Sequence, residues 1–289
     1  MPRLAYVDGR YVPLAAAAVG VEDRGLQFAD SIYEVVAVLN GRLLDWPGHA
    51  ARLARNLAAL RITPPLGDAA LGLVVRRLLA ANRAREAVVY IQITRGAAKR
   101  DHVFSGGGRP TLIITVRPFD FAQRVAQQRR GVTVRTMPDE RWGRCDIKTT
   151  GLLANVLAKQ AARAAGAFEA WLVAGDGTVA EGGSTNVWIV DADGTLVTPP
   201  LTYRVLPGVM RAAVLEAARD RGIALAERPF TVAEATAARE ALITSTTVPV
   251  LPVVTIDGAT VGDGRPGPIA AALAAAVWDR IAAQTGYRQ

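Results

Sequence analysis

The chain has 289 residues, 51% of them apolar and 21% charged, which excludes a disordered or low-complexity protein and leaves room for about two domains. A net charge of +8 raises nucleic acid or an anionic surface as a partner, yet only three of the 34 basic residues are lysine (Lys99, Lys148 and Lys159). The 31 arginines are scattered rather than blocked, a skew that resembles a GC-rich coding background more than a nucleic-acid surface. One cysteine, Cys145, and two histidines, His49 and His102, exclude an intrachain disulfide and a Cys/His zinc cluster, so no metal is expected. The first residues lack the apolar core of a signal peptide, and no apolar run reaches the ~18 residues of a membrane helix. A cytoplasmic enzyme or binding protein, off the membrane, is the expectation.

In chain order, Leu4 to Val7 and Arg10 to Pro13 flank Asp8-Gly9, and Ile32 to Leu39 and Arg42 to Leu44 flank Asn40-Gly41, both strong type I′ hairpin signals. Pro47 opens a helix with Leu53, Leu57 and Leu60 in register, Leu66 to Arg85 reads as a second, and Ala87 to Thr94 and Pro110 to Arg117 read as strands. Phe119 to Arg130 is polar and weakly periodic, the composition of a link. A strand over Val132 to Met137 follows, then a helix from about Gly151 to Gly166 with Leu152, Val156, Leu157 and Ala161 on one face. The remainder alternates strands (Glu169 to Val173, Val187 to Val190, Leu242 to Ser245, Val253 to Ile256) with helices (Val209 to Gly222, Pro268 to Ala283). This predicts an α+β protein of two domains: a small N-terminal α/β domain over 1–118, a link over 119–131 and a larger C-terminal domain over 132–289.

No GxGxxG, GxxxxGK[ST] or HExxH motif is present, so chemistry must come from dispersed residues. Lys148 lies between a strand and a helix, where the positive end of a helix dipole favours the neutral, nucleophilic amine. A solvated surface lysine is the ordinary alternative, and it suits Lys99 and Lys159 better. Glu181 is followed by Gly182-Gly183-Ser184-Thr185-Asn186, small residues that admit a ligand or merely make a turn. Thr244-Ser245-Thr246-Thr247 and Leu206-Pro207-Gly208-Val209-Met210 pair hydroxyls with a helix N-terminus, a ready anion site that ordinary turns and caps also resemble.

The strings DRGLQFADSIYEVV (Asp23 to Val36), TRGAAKRDH (Thr94 to His102), RCDIKTTGLLANVLAKQAA (Arg144 to Ala162), TVAEGGSTNVW (Thr178 to Trp188), LPGVMR (Leu206 to Arg211) and TSTTVPVLPV (Thr244 to Val253) closely resemble fold-type IV pyridoxal phosphate enzymes, specifically the D-amino acid aminotransferases. The resemblance spans almost the whole chain. It implies a large domain with a strand-rich, barrel-like core flanked by helices, an active site between the domains, and a homodimer.

The resemblance further implies that Lys148 binds pyridoxal phosphate as a Schiff base and then shuttles the substrate proton. Glu181 would face the pyridine nitrogen. Arg52, the N–H groups of Val209 and Met210, and the hydroxyls of Thr246 and Ser245 would hold the phosphate. Met210 stands where the family has threonine, so that position keeps a backbone donor but no hydroxyl. Tyr33, Arg100 and His102 would bind the substrate carboxylate, with the Arg100–His102 loop supplied by the neighbouring subunit. The Gly106-Gly107-Gly108 triplet after that loop is a hinge or a turn. His49 reads as helix surface or packing, and Cys145 has no base beside it and no assigned role.

The implied reaction is ping-pong transamination of D-amino acids such as D-alanine and D-glutamate with 2-oxo acids such as 2-oxoglutarate and pyruvate. Rival readings are an (R)-selective amine transaminase, a branched-chain L-amino acid aminotransferase, an aminodeoxychorismate lyase and, from another class, a basic nucleic-acid or anion-binding protein. The Arg-x-His loop favours the D-amino acid branch.

Overall fold

The computed structural model describes residues 3–104 and 108–288, in two units. Gly106 and Gly107 of the glycine triplet therefore lie outside the described residues. The first unit gathers Met1–Asp120, Ile147–Gly151 and Ala283–Arg288; the second gathers Phe121–Asp146 and Leu152–Ala282.

In the first unit, β1 (Leu4–Val7) and β2 (Arg10–Pro13) form a hairpin. Asp8 and Gly9 adopt positive φ of 44° and 92°, as the type I′ turn requires. A short helix α1 (Arg24–Phe28) precedes β3 (Ser31–Leu39), which turns at Asn40-Gly41 into β4 (Arg42–Leu43). Helices α2 (Trp46–Ala59) and α3 (Asp68–Ala81) follow, then β5 (Ala87–Thr94) and β6 (Leu112–Pro118). The sheet order is β2-β1-β6-β5-β3-β4, antiparallel throughout. One stripe of α2 (Leu53, Leu57) and one of α3 (Leu71, Val75, Leu78) join Val36, Val38, Ile91 and Ile114 of the sheet in a single core. Each of those side chains gains about 1.5–3 kcal/mol from leaving water.

Two later segments return to this unit. The Tyr33 amide donates to the Lys148 carbonyl oxygen at 3.0 Å, Ile32 and Thr149 form an antiparallel bridge, and the Ser31 and Thr150 hydroxyls share a hydrogen bond. Gln284 exchanges hydrogen bonds with Asp45 at 2.8 and 2.9 Å.

The second unit opens with α4 (Phe121–Arg130), so ten residues of the stretch expected as a link are helical. Their pattern is weak because only Phe121 is buried; the helix is tied down by Gln128, which donates to Val250 O at 2.6 Å and accepts from Trp278 Nε1 at 3.1 Å. Then come β7 (Val132–Pro138), α5 (Leu153–Ala164), β8 (Glu169–Val173), β9 (Val179–Gly182), β10 (Asn186–Val190) and β11 (Leu196–Thr198). The chain finishes with α6 (Val209–Asp220), β12 (Leu225–Glu227), α7 (Val232–Ala237), β13 (Glu240–Ser245), β14 (Val248–Ile256), β15 (Ala259–Thr260) and α8 (Pro268–Thr285), whose last residues belong to the first unit.

The sheet order is β12-β11-β10-β13-β14-β7-β8-β9, with β15 on β14. That order forces curvature. Strands β9 and β10 stand five places apart, about 24 Å in a flat sheet, yet only residues 183–185 join them, a span of at most about 14 Å. The sheet therefore curls into the barrel-like form implied by the sequence, around a core that includes Trp171, Ile189, Phe230, Ile243 and Leu251. The α5 face expected from periodicity is not buried here: Val156 and Leu157 are more than half exposed, Ala161 is exposed and Leu152 is half-buried, and Leu153 beside them is more than half exposed as well.

Candidate active site

Lys148 does not sit simply between a strand and a helix. Its segment lies along β3, and its Nζ rests 4.2 Å from the ring centroid of Tyr33, which itself stacks on Tyr90 at 5.5 Å. Burial pushes the Tyr90 hydroxyl up to about 12, with the Tyr33 phenol adding to the effect, so Tyr90 stays neutral beside Tyr33. Among the described residues Lys148 has no carboxylate partner. Lys159 differs: expected to be solvated, it donates to both oxygens of buried Glu169 at 2.8 and 2.9 Å and to Ser184 Oγ. Lys99 is exposed. Of the three amines, Lys148 is the half-buried one with no ion pair.

Arg52 is buried one helical turn beyond His49 on α2, and both meet Glu34 of β3. Arg52 Nε and one terminal nitrogen donate to the two Glu34 oxygens at 2.7 and 2.8 Å, and His49 Nδ1 is 2.7 Å from Oε2. Burial alone would raise the Glu34 carboxyl, but Arg52 and His49 hold it down at about 2. The sequence reading missed this cluster, although His49 and Arg52 three apart on one helix face were its visible half. His49 is thus buried and paired, which removes the helix-surface alternative.

Arg100 and His102 meet on one aromatic ring. The Arg100 guanidinium lies 4.7 Å from the Phe28 ring centroid, and the His102 ring is 5.5 Å away.

In the second unit Glu181, at the end of β9, is buried. It is ion-paired to Arg141, accepts from the Leu206 amide at 3.0 Å and has Asn186 Nδ2 at 3.4 Å. Arg141 also grips Asp139 through Nε and a terminal nitrogen, each at 2.8 Å. Burial would raise the Asp139 carboxyl, and Arg141 instead holds it below the usual carboxylate range. Arg141 was not singled out from the sequence, where one arginine among 31 carries no local mark. Burial pushes the neighbouring Cys145 thiol up to about 11, which keeps it protonated and agrees with its having no assigned role.

Asn186 Nδ2 donates to Leu206 O at 2.9 Å, linking the Glu181 segment to the loop that opens α6. That helix starts at Gly208 with no side-chain cap, leaving the first N–H groups, Val209 and Met210 among them, without intrahelical partners. Gly208 is required: a Cβ there would collide with Asn186 Oδ1. The Met210 side chain is buried, so only its backbone is offered at the helix start. Ser245 and Thr246 lie where β13 turns into β14, beside a register shift between Ile243 and Ser245.

This fold and these groups have close counterparts. The sequence profile of amino-transferase class IV matches residues 31–256, and the chain belongs to that family. It is 38% identical over 278 residues to a D-alanine aminotransferase of Bacillus licheniformis, covering 96% of this chain and 97% of the relative. A D-alanine aminotransferase of Listeria innocua is 36% identical over 268 residues, 92% of each chain. Among solved structures, the branched-chain aminotransferase of Thermoproteus uzoniensis with norvaline superposes with a TM-score of 0.83 at 28% identity, covering 98% of this chain and 95% of the other. The Escherichia coli branched-chain amino acid aminotransferase gives a TM-score of 0.90 at 23% identity over 100% and 97%, a likeness of fold.

Pyridoxal phosphate is the cofactor of such an aminotransferase, and the residues present fit it. Its carbonyl suits an amine free of ion pairs, its ring nitrogen a buried carboxylate, and its phosphate an uncapped helix N-terminus. Thr185 Oγ1, buried between Glu181 and Asn186 without a hydrogen-bond partner, is a further polar atom awaiting a ligand. Nε and one terminal nitrogen of Arg52 donate to Glu34. No group of three or more metal-ligating side chains and no membrane-length apolar helix occurs among the described residues.

Proposed function

We propose that this chain is a D-amino acid transaminase, passing the amino group of donors such as D-alanine or D-glutamate to 2-oxo acids such as 2-oxoglutarate or pyruvate in two half-reactions. The observation that carries it is the unpaired Lys148 amine on the face of Tyr33. The D-alanine aminotransferases among its relatives support the substrate class.

The bound cofactor supplies the carbonyl that takes the amino group and a ring that withdraws electrons from the substrate Cα. Lys148 Nζ anchors it and then moves the proton between Cα and the adjacent cofactor carbon. Glu181, ion-paired to Arg141, would hold a proton at the ring nitrogen. The Val209 and Met210 amides, with the hydroxyls of Ser245 and Thr246 and with Arg52, receive the phosphate. Arg100 and His102, side by side on Phe28, donate to the substrate carboxylate with the Tyr33 phenol.

Within one chain Tyr33 makes no hydrogen bond to Arg100 or His102 among the described residues, which suits a homodimer whose loop serves the neighbouring subunit. The exposed apolar face of α5 is a second support for a partner. The proposed location is the cytoplasm, in keeping with the unpaired thiol of Cys145. Supplying D- and L-alanine separately with 2-oxoglutarate, while following the cofactor spectrum and pyruvate, tests cofactor, reaction and handedness together. Turnover of the L-isomer alone would overturn the reading.

A further inference from the structure

Arg24 is buried although it opens a five-residue helix, α1, and its side chain is 6% exposed. Its guanidinium reaches two partners, an anchoring carboxylate and a loop backbone. Nε donates to Asp30 Oδ2 at 2.9 Å, while the terminal nitrogens donate to two carbonyls of the 100–102 loop, Asp101 O at 2.5 Å and His102 O at 3.4 Å. Its own amide donates to Gly96 O at 2.9 Å, and its guanidinium lies 4.8 Å from the Phe28 ring centroid. Asp30 is in turn gripped by Arg95 at 2.7 and 2.9 Å. Burial would raise the Asp30 carboxyl, but Arg95 and Arg24 hold it below the usual range, so the anion that orients Arg24 persists at neutral pH.

A planar guanidinium fixes the directions of its donors, so a loop whose successive carbonyls both accept from it has little freedom to rotate. The side chains that lie on Phe28, the ring that Arg24 also contacts, are those of His102, whose carbonyl Arg24 holds, and of Arg100, the residue just before Asp101. We propose that Arg24 is a positioning residue for substrate recognition: anchored by Asp30, it pins the backbone of the Arg100–His102 loop and thereby sets both donors, Arg100 and His102, toward the substrate carboxylate. This rests on the reading of Arg100 and His102 given above.

The test uses the cofactor-loaded enzyme with Arg24→Gln, Arg24→Lys and Phe28→Leu, alongside Arg100→Ala. Arg24→Gln is expected to raise KM for D-alanine about tenfold or more, the scale of one lost charged hydrogen bond, with a smaller change in kcat. Residual kcat/KM on (R)-1-phenylethylamine, which has no carboxylate, should stay within about twofold. Arg24→Lys should fall between, and Phe28→Leu, which removes the ring without unpairing a buried anion, should shift the same ratio even if the Arg24 variants fold poorly. Equal losses on both substrates, or an unchanged D-alanine KM in the folded variants, overturn the proposal. If Arg100→Ala itself leaves the D-alanine KM unchanged, the carboxylate role of the loop fails first; if it raises KM and the Arg24 and Phe28 variants do not, the positioning role alone fails.

Discussion

Lys148 and Tyr33 are joined twice, by a backbone hydrogen bond of 3.0 Å from the Tyr33 amide to the Lys148 carbonyl and by the 4.2 Å approach of Nζ to the ring. The proposed reactive amine thus lies on a loop segment that is held against strand β3. Lys148→Ala should abolish turnover and the absorbance band of lysine-bound cofactor. Tyr33→Phe keeps the ring, so that band should persist while KM for D-alanine rises. A Lys148→Ala protein with both turnover and the band would defeat the assignment.

Arg141 stands between two carboxylates, the half-buried Asp139 and the buried Glu181. Removing it in Arg141→Met leaves both without their counterion, a loss of about 3–5 kcal/mol by analogy with other broken buried pairs. Urea unfolding should show this, and kcat should drop at saturating cofactor because the Glu181 carboxylate loses the ion pair that holds it in place. A variant as stable and active as the parent would show that Arg141 is dispensable.

Glu34 has its carboxyl held at about 2 in the folded chain against 4.5 as the model value. A depressed carboxylate contributes stability that is fully present above 4.5 and is lost as pH falls toward 2; the shift corresponds to roughly 3 kcal/mol. Thermal midpoints measured from pH 6 downward should therefore fall less steeply in Glu34→Gln than in the parent, and that variant should already be weaker at neutral pH. Parallel profiles would show that the Arg52–Glu34–His49 cluster does not dominate the acid limb.

Arg100→Ala removes the guanidinium that shares the Phe28 ring with His102. Use of D-alanine and D-glutamate should fall far more than use of an uncharged primary amine such as (R)-1-phenylethylamine, measured as kcat/KM. Equal losses would deny the carboxylate role.

Local signals carried part of this molecule. The Asp8-Gly9 and Asn40-Gly41 turns force positive φ wherever they occur, so their hairpins were legible. The position of Lys148 beside β3 was not, because it depends on a chain reversal linking Ser31 to Thr150 across 119 residues. The same holds for Glu34, whose partners lie 15 and 18 residues on in a different element. Helix α4 escaped because its stability comes from Gln128 meeting Val250 and Trp278, contacts that no window of sequence contains. The arginine excess read as coding background is in part structural: Arg24, Arg52, Arg95 and Arg141 each hold a carboxylate.

The first unit is entered three times by the chain, and each re-entry has a kinetic meaning. During synthesis its sheet is complete once β6 has emerged, yet it then lacks the proposed Schiff-base lysine, since Lys148 arrives only after a stretch belonging to the other unit. The Asp45 clasp closes later still, when Gln284 is made, 239 residues downstream. On the proposed role of Lys148, capture of cofactor is therefore barred to the nascent N-terminal portion and begins only once the polypeptide has doubled back.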